Sequence, residues 1–340
     1  MLYLLKRYKF HLIFLLIIYI PIIVICVTRT KYNLILKGDT EKFASVVEVD
    51  GGYEESGSFS TIYVISINKS TIFQNIIASI DPNVEKYEPS KKYSNLSDAE
   101  EYSSSRIDYF SSIELSIICA YEEAKKVNPD IYIDYSFKSL DVTWYNEGSS
   151  FKIGDKIIGH NDVSNESRDE LLASLKDIKD KDIVHIIRNN QNIDIEWKKD
   201  IDSVAFAERF DINLKTIKPS IKINYENVGG PSGGLLQTLS IYNRLVKEDL
   251  TNGLKISGTG TINYDFSVGS IGGIKEKVPT AFEDKIDVFF CPEKNYDDAK
   301  EAYDKLKNKE KMALVKVSSL SDAIDYLRNR LWAIRRYHHN

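Results

Sequence analysis

The sequence predicts an α/β (α+β) protein that begins with an N-terminal transmembrane helix. The run from Phe10 to Val27 is apolar over eighteen residues with few interruptions, which is close to the length that spans a hydrocarbon core as a helix. Beyond this run, short β-branched segments alternate with segments of helical apolar spacing. Two glycine-rich turns, at residues 229–234 and 272–273, precede helical segments, as expected where the chain must bend sharply.

Length and composition set limits on the function. At 340 residues, the chain is long enough for two or three domains. A net charge of -5 and a pI near 5.7 argue against nucleic-acid binding. The cysteines are scattered, with neither a C-x-x-C pair nor histidines at metal-ligand spacing: Cys26, Cys119 and Cys291. We therefore expect no disulfide framework, no metal site and no cofactor.

Charges on either side of the apolar run predict its orientation. More basic residues precede the run (Lys6, Arg7 and Lys9) than follow it (Arg29 and Lys31). The positive-inside rule then predicts a cytoplasmic tail over residues 1–9, a membrane anchor over 10–28 and an extracytoplasmic remainder. A cleaved signal peptide is the alternative, but residues 26–29 offer no A-x-A-like cleavage site. We favour an uncleaved anchor in the cell membrane.

Residues 29–127 are predicted as an N-terminal extracytoplasmic α/β segment. The pattern indicates strands over Lys42–Asp50, before a Gly51-Gly52 turn, and over Phe59–Ile67. A short helix is expected over Thr71–Ile80. Glu85–Ser105 is rich in Ser, Tyr, Lys and Glu, which is typical of a mobile surface segment. An amphipathic helix is expected over Asp108–Val127.

A second module is predicted over residues 128–200. Its order is a strand at Leu140–Tyr145, the element Gly154-Asp155-Lys156-Ile157, a helix at Ser167–Ile178, and paired strands at Asp182–Arg188 and Ile193–Trp197. This order resembles a PDZ domain, which implies that partners bind by adding a strand to the sheet edge. Ser136–Ser139 matches the carboxylate-binding loop of that family loosely. The alternative is a small α/β spacer module.

The remaining chain is expected to alternate strands and helices. Asp200–Lys218 is predicted as a linker with some helical or strand character. Strands are expected at Ser220–Tyr225, Leu254–Ile262, Ser267–Ile271, Val288–Pro292 and Ala313–Val317. Helices are expected at Leu235–Leu245, Lys275–Phe282, Asp297–Lys307 and Leu320–Leu331.

The stretch from Val228 to Lys277 carries the candidate chemistry. Four glycines and a proline surround Ser232, which therefore lies on a turn at a helix N-terminus. The N–H groups and dipole of that helix favour a developing oxyanion.

A serine nucleophile needs a base. The five histidines lie in the apolar run, the PDZ-like block and the C-terminal end: His11, His160, His185, His338 and His339. A lysine is therefore the candidate base, because burial can depress its pKa. Lys275 and Lys277 both flank an apolar stripe of Ile274, Val278 and Ala281, and the helical wheel does not choose between them.

Three motifs together resemble the proteolytic domain of Lon protease. Residues 229–234 (Gly-Gly-Pro-Ser-Gly-Gly) are similar to its nucleophile motif, residues 258–262 to its T-G strand, and residues 268–277 to its lysine motif. The resemblance spans about residues 203–330 and predicts a Lon-type domain over 203–340. It implies a Ser232–Lys277 dyad supported by Thr259.

The resemblance also places oxyanion support in the turn formed by Gly230, Pro231 and Gly233. Two residues depart from the family pattern. Gly233 stands where the family usually has alanine, and Gly229 stands where the large Lon enzymes have aspartate.

Taken whole, the chain resembles the membrane-anchored, PDZ-containing Lon-like endopeptidases of Gram-positive bacteria. This implies a serine endopeptidase that cleaves extracytoplasmic peptides, flexible segments or unfolded proteins. The sequence contains no G-x-x-x-x-G-K-[ST], so we expect ATP-independent cleavage. Lon-like domains elsewhere form hexameric rings, which leaves a homo-oligomer open. The alternative function is a non-catalytic PDZ-type membrane adaptor on a Lon-like fold.

Overall fold

The structure, a computed structural model, describes residues 7–43, 46–81, 84–89, 96–224 and 230–338, with side chains to residue 330. The first ten strands are β1 Asn33–Lys42, β2 Val47–Val49, β3 Ser58–Ile67, β4 Val84–Tyr87, β5 Tyr135–Tyr145, β6 Lys156–His160, β7 Val163–Ser164, β8 Ile183–Arg188, β9 Gln191–Glu196 and β10 Val204–Ile212. The next six are β11 Ile221–Ile223, β12 Lys255–Gly258, β13 Thr261–Ile262, β14 Val268–Gly269, β15 Val288–Pro292 and β16 Ala313–Val317. The helices are α1 Lys9–Val27, α2 Ile72–Ala78, α3 Asp98–Lys125, α4 Arg168–Lys176, α5 Gly234–Leu245, α6 Ile274–Glu283, α7 Tyr296–Asp304 and α8 Leu320–His338. The fold is mixed α/β, as predicted.

The first sheet joins strands from distant parts of the chain. Its order is β16-β15-β12-β3-β1-β4. Neighbours from β16 to β3 are parallel, and β1 is antiparallel to both β3 and β4. Half of the strands therefore come from the predicted N-terminal segment 29–127 and half from the predicted Lon-type domain. The predicted domain boundaries do not coincide with the division of the chain into sheets.

The second sheet is antiparallel and contains the PDZ-like block. Its order is β10-β5-β6-β8-β9, with β7 beside β6. Leu171 of α4 packs with Leu140, Val142, Ile157 and Val184 in its core. The strands and the helix predicted for this block are present, and the PDZ resemblance itself stays a prediction.

The central part of the predicted linker Asp200–Lys218, for which some helical or strand character was expected, is the strand β10 Val204–Ile212. Strand β10 pairs along the whole of β5, from Val204 opposite Tyr145 to Ile212 opposite Tyr135. Alternating side chains such as Phe206 and Phe210 favour this strand. Its partner residues lie 59 to 77 positions earlier, beyond the reach of a local pattern. Ser136–Ser139 also belongs to β5, so it is a paired strand and not a carboxylate-binding loop.

Helix α3 connects the two sheets. Glu114 on α3 pairs with Arg209 of β10 at 2.6 Å and also accepts a hydrogen bond from the Phe210 N–H at 2.9 Å. On another side of α3, Ser116 Oγ donates to the Gly234 carbonyl of α5 at 3.1 Å. Ile117, Ile118 and the residues around them are fully buried. The helix therefore fixes the second sheet relative to α5.

The prediction of a mobile segment over Glu85–Ser105 is wrong where the structure describes it. Val84–Tyr87 forms β4, and α3 begins at Asp98. Ser97 and Glu100 form a reciprocal capping box, in which each side chain bonds to the backbone N–H of the other residue. The S-x-x-E signal was present in a polar stretch whose composition suggested mobility. Residues 90–95 lie outside the described part.

Two other predicted strands have different bounds. The predicted strand Lys42–Asp50 is shorter, as β2 Val47–Val49, and the strand β1 Asn33–Lys42 before it was not predicted. The predicted strand Leu254–Ile262 is interrupted at Thr259 and Gly260, where Gly260 has a φ of 146°. This interruption is important because Thr259 and Gly260 both contact Ser232.

Among the described residues, α1 is the one helix long and apolar enough to cross a membrane. None of its residues is buried against the rest of the chain. A signal sequence near an N-terminus would have the same length and composition.

Candidate active site

Ser232 lies on a tight turn before α5. Gly233 is the N-cap of that helix, and Gly230 has a φ of 95°, a left-handed conformation that favours glycine. This turn presents Ser232 at the positive end of the α5 dipole, as the sequence predicts. Residues 225–229, including Val228 and Gly229, lie outside the described part of the chain.

The interrupted strand holds the backbone of Ser232. The Ser232 carbonyl accepts hydrogen bonds from the Gly260 N–H at 2.7 Å and from Thr259 Oγ1 at 3.0 Å. Next along the helix, the Leu235 N–H donates to the Gly260 carbonyl at 3.0 Å. These bonds fix the serine against the Thr259-Gly260 element.

Lys277 reaches Ser232 from the buried face of α6. The helix begins after Gly273, whose φ of 68° supplies the sharp turn. Lys277 lies one turn after Ile274 and is 2% exposed. Its Nζ lies 3.0 Å from Ser232 Oγ and 3.0 Å from Thr259 Oγ1. The structure therefore brings the three residues Ser232, Thr259 and Lys277 together.

Lys275 points elsewhere. Its side chain is 44% exposed and pairs with Asp298 at 3.3 Å and Glu301 at 3.0 Å. Hydrogen bonds to Glu301 and Asp298 raise the pKa of Lys275. The geometry therefore selects Lys277 over Lys275, which the helical wheel had left open.

The surroundings of Lys277 favour a neutral amine. Burial lowers the pKa of Lys277 to about 8, because desolvation disfavours the ammonium form. Thr259 commits its hydroxyl proton to the Ser232 carbonyl, so it can only accept from Lys277. A neutral amine that donates to Thr259 keeps its lone pair for the proton of Ser232.

Fewer residues of the turn can donate a hydrogen bond to an oxyanion than the sequence suggests. The Gly230 N–H donates to the Ser105 carbonyl of α3 at 3.2 Å. Pro231 has no N–H, and its carbonyl accepts from Ser112 Oγ at 3.3 Å. The N–H groups of Ser232 and Gly233 have no hydrogen-bond partner in the part of the chain that the structure describes. These two N–H groups can therefore face an oxyanion.

Gln237 is a site residue that the sequence did not indicate. It lines a cavity of about 60 Å³ next to Ser232 and Gly233, together with Phe43 and Tyr109. The side chain of Gln237 is buried, and its Nε2 finds no partner within the described residues. A buried amide donor of this kind can bond to a carbonyl group that enters the cavity. Its signal was a polar residue within the otherwise apolar start of α5.

Two larger cavities meet at the serine turn. One of about 490 Å³ and one of about 470 Å³ are both lined by Asp108 and Pro231. Burial raises the pKa of Asp108 to about 6. Both cavities reach Pro231, the residue before Ser232, and they extend from there along different parts of α3.

The histidines of the second sheet have partners there. His160 Nε2 lies 3.1 Å from Asp182, and His185 Nδ1 lies 2.7 Å from Asp194. Neither takes part in the described hydrogen bonds of Ser232 or Lys277. This agrees with the choice of lysine over histidine.

Comparison with known families matches residues 222–329 to the Lon protease (S16) C-terminal proteolytic domain. The chain contains a Lon proteolytic domain. Ser232, Thr259 and Lys277 all lie within the matched range, so the predicted Lon resemblance of this part is confirmed. The domain supports serine peptidase activity, while the PDZ module and the membrane anchor stay predictions.

A curated relative agrees with this domain. Lon protease of Aster yellows witches'-broom phytoplasma (strain AYWB) is 31% identical over 123 residues. The match covers 36% of this chain and 14% of that relative. The chain therefore corresponds to a small part of the relative's length.

The departure at Gly233 has a steric explanation. A Cβ at Gly233 would lie 2.9 Å from Phe43 Cζ and 3.2 Å from Thr61 Oγ1. Phe43 is 7% exposed and forms one wall of the cavity beside Ser232. Glycine therefore leaves room for a large aromatic ring next to the nucleophile turn.

We expect Gly233→Ala to destabilise the protein by about 1–3 kcal/mol, because the added methyl group overpacks this contact. In a protein that already carries Phe43→Leu, adding Gly233→Ala should cost much less stability than it does in the wild type. Thermal unfolding of the four proteins in detergent measures both effects. Equal losses from Gly233→Ala in the two backgrounds would show that Phe43 is not the obstacle.

Proposed function

We propose that this chain is a membrane-anchored, ATP-independent serine endopeptidase that uses a Ser232–Lys277 dyad. The observation that carries the proposal is the 3.0 Å separation between Lys277 Nζ and Ser232 Oγ, combined with the burial of Lys277. An exposed lysine at this distance would be charged at neutral pH and could not accept a proton. A buried lysine with a pKa of about 8 is neutral in a useful fraction of molecules.

Acylation follows from this arrangement. Neutral Lys277 takes the hydroxyl proton as Ser232 Oγ attacks the peptide carbonyl carbon. The carbonyl oxygen becomes an oxyanion that accepts hydrogen bonds from the N–H groups of Ser232 and Gly233. The intermediate then collapses, the C–N bond breaks, and the Lys277 ammonium returns its proton to the leaving amine. An ester between Ser232 and the acyl half of the substrate remains.

Deacylation uses the same groups in reverse roles. Lys277 takes a proton from a water molecule, which attacks the ester carbonyl. The second oxyanion uses the same N–H groups. Its collapse breaks the bond to Ser232 Oγ, which regains a proton from Lys277, and releases a carboxylic acid that loses its proton to solvent. Thr259 keeps the amine oriented in both steps, because its hydroxyl accepts from Nζ and donates to the Ser232 carbonyl.

The proposed substrates are peptides, flexible tails or unfolded chains. The 340 residues contain no nucleotide-binding G-x-x-x-x-G-K-[ST], so we propose cleavage without ATP-driven unfolding. The cleft beside Ser232 is open along α3, where an extended chain can enter. A folded substrate would have to lose local structure before its backbone reached Ser232.

We infer that α1 spans the cell membrane and leaves the catalytic domain outside the cytoplasm. The length of α1 and its lack of buried residues support a lipid environment. The excess of basic residues before the helix supports a cytoplasmic N-terminus.

Replacing either member of the dyad should abolish peptide cleavage. We expect Ser232→Ala and Lys277→Ala each to lower kcat/KM by a factor on the order of 10³ or more, as for other nucleophile–base units. Lys275→Ala is the matched control, because it removes an exposed lysine from the same helix and should leave cleavage unchanged. A library of flexible peptides and the purified full chain in detergent provide the assay. Wild-type protein that cleaves nothing would instead favour the non-catalytic adaptor.

We further propose that the PDZ-like module guides the substrate towards Ser232. A cavity of about 650 Å³ lies between the start of β5 and the start of α4. It shares Arg168 and Tyr264 with the cavity that reaches Pro231. Tyr264 stacks on Phe210 with ring centres 5.2 Å apart. The Arg168 guanidinium lies over the Tyr264 ring. A peptide that bound along both cavities would contact Tyr264.

Tyr264→Ala should therefore raise KM for long peptides and spare short ones. For peptides of about ten residues or more, which can extend about 30 Å, we expect a rise in KM of about five-fold with kcat unchanged, since the lost contact is to bound substrate. Tyr132→Ala, which changes an exposed tyrosine outside these cavities, is the control. Equal effects on short and long peptides would contradict a guiding role.

A further inference from the structure

Helix α2 has its apolar face on the outside. Phe73, Ile76, Ile77 and Ile80 follow an i, i+3, i+4, i+7 pattern that forms one stripe across the helix and the turn after it. These side chains are 45%, 49%, 50% and 77% exposed, respectively. In a helix of a water-soluble domain such a stripe faces the core. Here it faces away from the protein.

The buried face of α2 explains why the helix cannot simply rotate. Asn75 and Ala78 are the residues turned inward. Asn75 Nδ2 lies 2.8 Å from Ser70 Oγ, 2.8 Å from the Thr71 carbonyl and 3.0 Å from Thr30 Oγ1. Thr71 and Gln74 also form a capping box at the start of the helix. These polar contacts fix α2 with its apolar stripe outward.

The stripe begins at the end of the proposed membrane span. Thr28 is the C-cap of α1, and its carbonyl accepts a hydrogen bond from the Ile72 N–H at 3.1 Å. A second bond joins the Thr30 N–H to the Ser70 carbonyl at 2.9 Å. The first turn of α2 is therefore attached to the last turn of α1. A bilayer that holds α1 along its length would bring its surface to α2.

The charges near this junction suit the same environment. Arg29, Lys31 and Lys69 are exposed, and Arg29 Nη1 donates to the Lys69 carbonyl. Lys31 pairs with the exposed Glu88 at 2.7 Å. Basic residues beside an apolar stripe are the combination by which interfacial helices bind, because the stripe enters the acyl boundary and the basic groups face lipid phosphates.

We infer that Phe73, Ile76, Ile77 and Ile80 insert into the surface of the bilayer that holds α1. The folded part is then attached to the membrane twice, through a spanning helix and through an interfacial one. This second contact restricts the tilt of β1, which follows α1 in the chain, and of β3, which precedes α2. The inference rests on the proposed membrane span, because the hydrogen bonds between α1 and α2 determine which surface the stripe meets.

Quenching by brominated lipid tests this contact. Phe73→Trp places a fluorescent reporter in the stripe of the full chain, which is reconstituted in phosphatidylcholine–phosphatidylglycerol vesicles with or without brominated acyl chains. We expect brominated lipid to reduce the emission added by Phe73→Trp, and we expect that emission to lie at shorter wavelength than the emission added by Tyr53→Trp. Tyr53→Trp is the matched control. It also replaces an exposed aromatic residue, 45% exposed, beyond the opposite end of the ten-residue strand β3, about 30 Å away.

Further measurements separate failure of the α2 contact from failure of the membrane span. Resistance of the wild-type chain to alkaline extraction from the vesicles reports on the span itself. A resistant chain without quenching at Phe73→Trp would overturn the inference and leave the span in place, and an extracted chain would overturn both. Self-association of the chain without quenching would show that a second copy covers the stripe. Ile76→Ser combined with Ile77→Ser should reduce the quenching at Phe73→Trp while cleavage of a soluble peptide remains at the wild-type rate.

Discussion

The burial of one amine against one hydroxyl is the interaction on which the proposed chemistry depends. Lys277 is an ionisable residue inside the protein, and its described neighbours at Nζ are two hydroxyl groups and no carboxylate. Burial without a counter-charge disfavours the ammonium form, so the same feature that weakens the fold at low pH creates a base near neutral pH. A carboxylate partner would have raised the pKa instead, as Glu301 and Asp298 do for Lys275.

The rest of the fold holds the two halves of this contact together. Ser232 and Lys277 arrive on separate helices, each preceded by a glycine with positive φ, Gly230 and Gly273. Thr259-Gly260 lies between them and bonds to the serine backbone. Helix α3 supports the turn from the other side through the Ser105 carbonyl and the Ser112 hydroxyl. A segment predicted as partly mobile therefore forms part of the support for the nucleophile.

The local sequence indicated which residues lie together near Ser232 better than it indicated the architecture. Ser232, Thr259 and Lys277 lie in short motifs whose order was visible, and their contact agrees with the resemblance. The helical wheel left Lys275 and Lys277 open, and the structure places Lys277 with Ile274 and Ala281 on the buried face of α6. By contrast, the pairing of β10 with β5 and the sharing of one sheet by β3 and β12 join residues far apart in sequence, and no local periodicity reports such pairs. Gln237 was missed because its signal, one amide after an apolar first turn, does not show that the side chain faces the cavity beside Ser232.

The most direct test is titration of the Lys277 amine in the full chain. Carbon-13 labelling of lysine side chains allows the Nζ-bound carbon to be followed by NMR, and comparison with Lys277→Arg assigns its signal. The account predicts a transition at a pKa of about 8, accompanied by a rise in peptide cleavage over the same pH range, because deprotonation creates the base. A transition at the ordinary lysine value near 10.5, or cleavage that does not change between about pH 6 and 9, would contradict the claim that a buried neutral lysine activates Ser232.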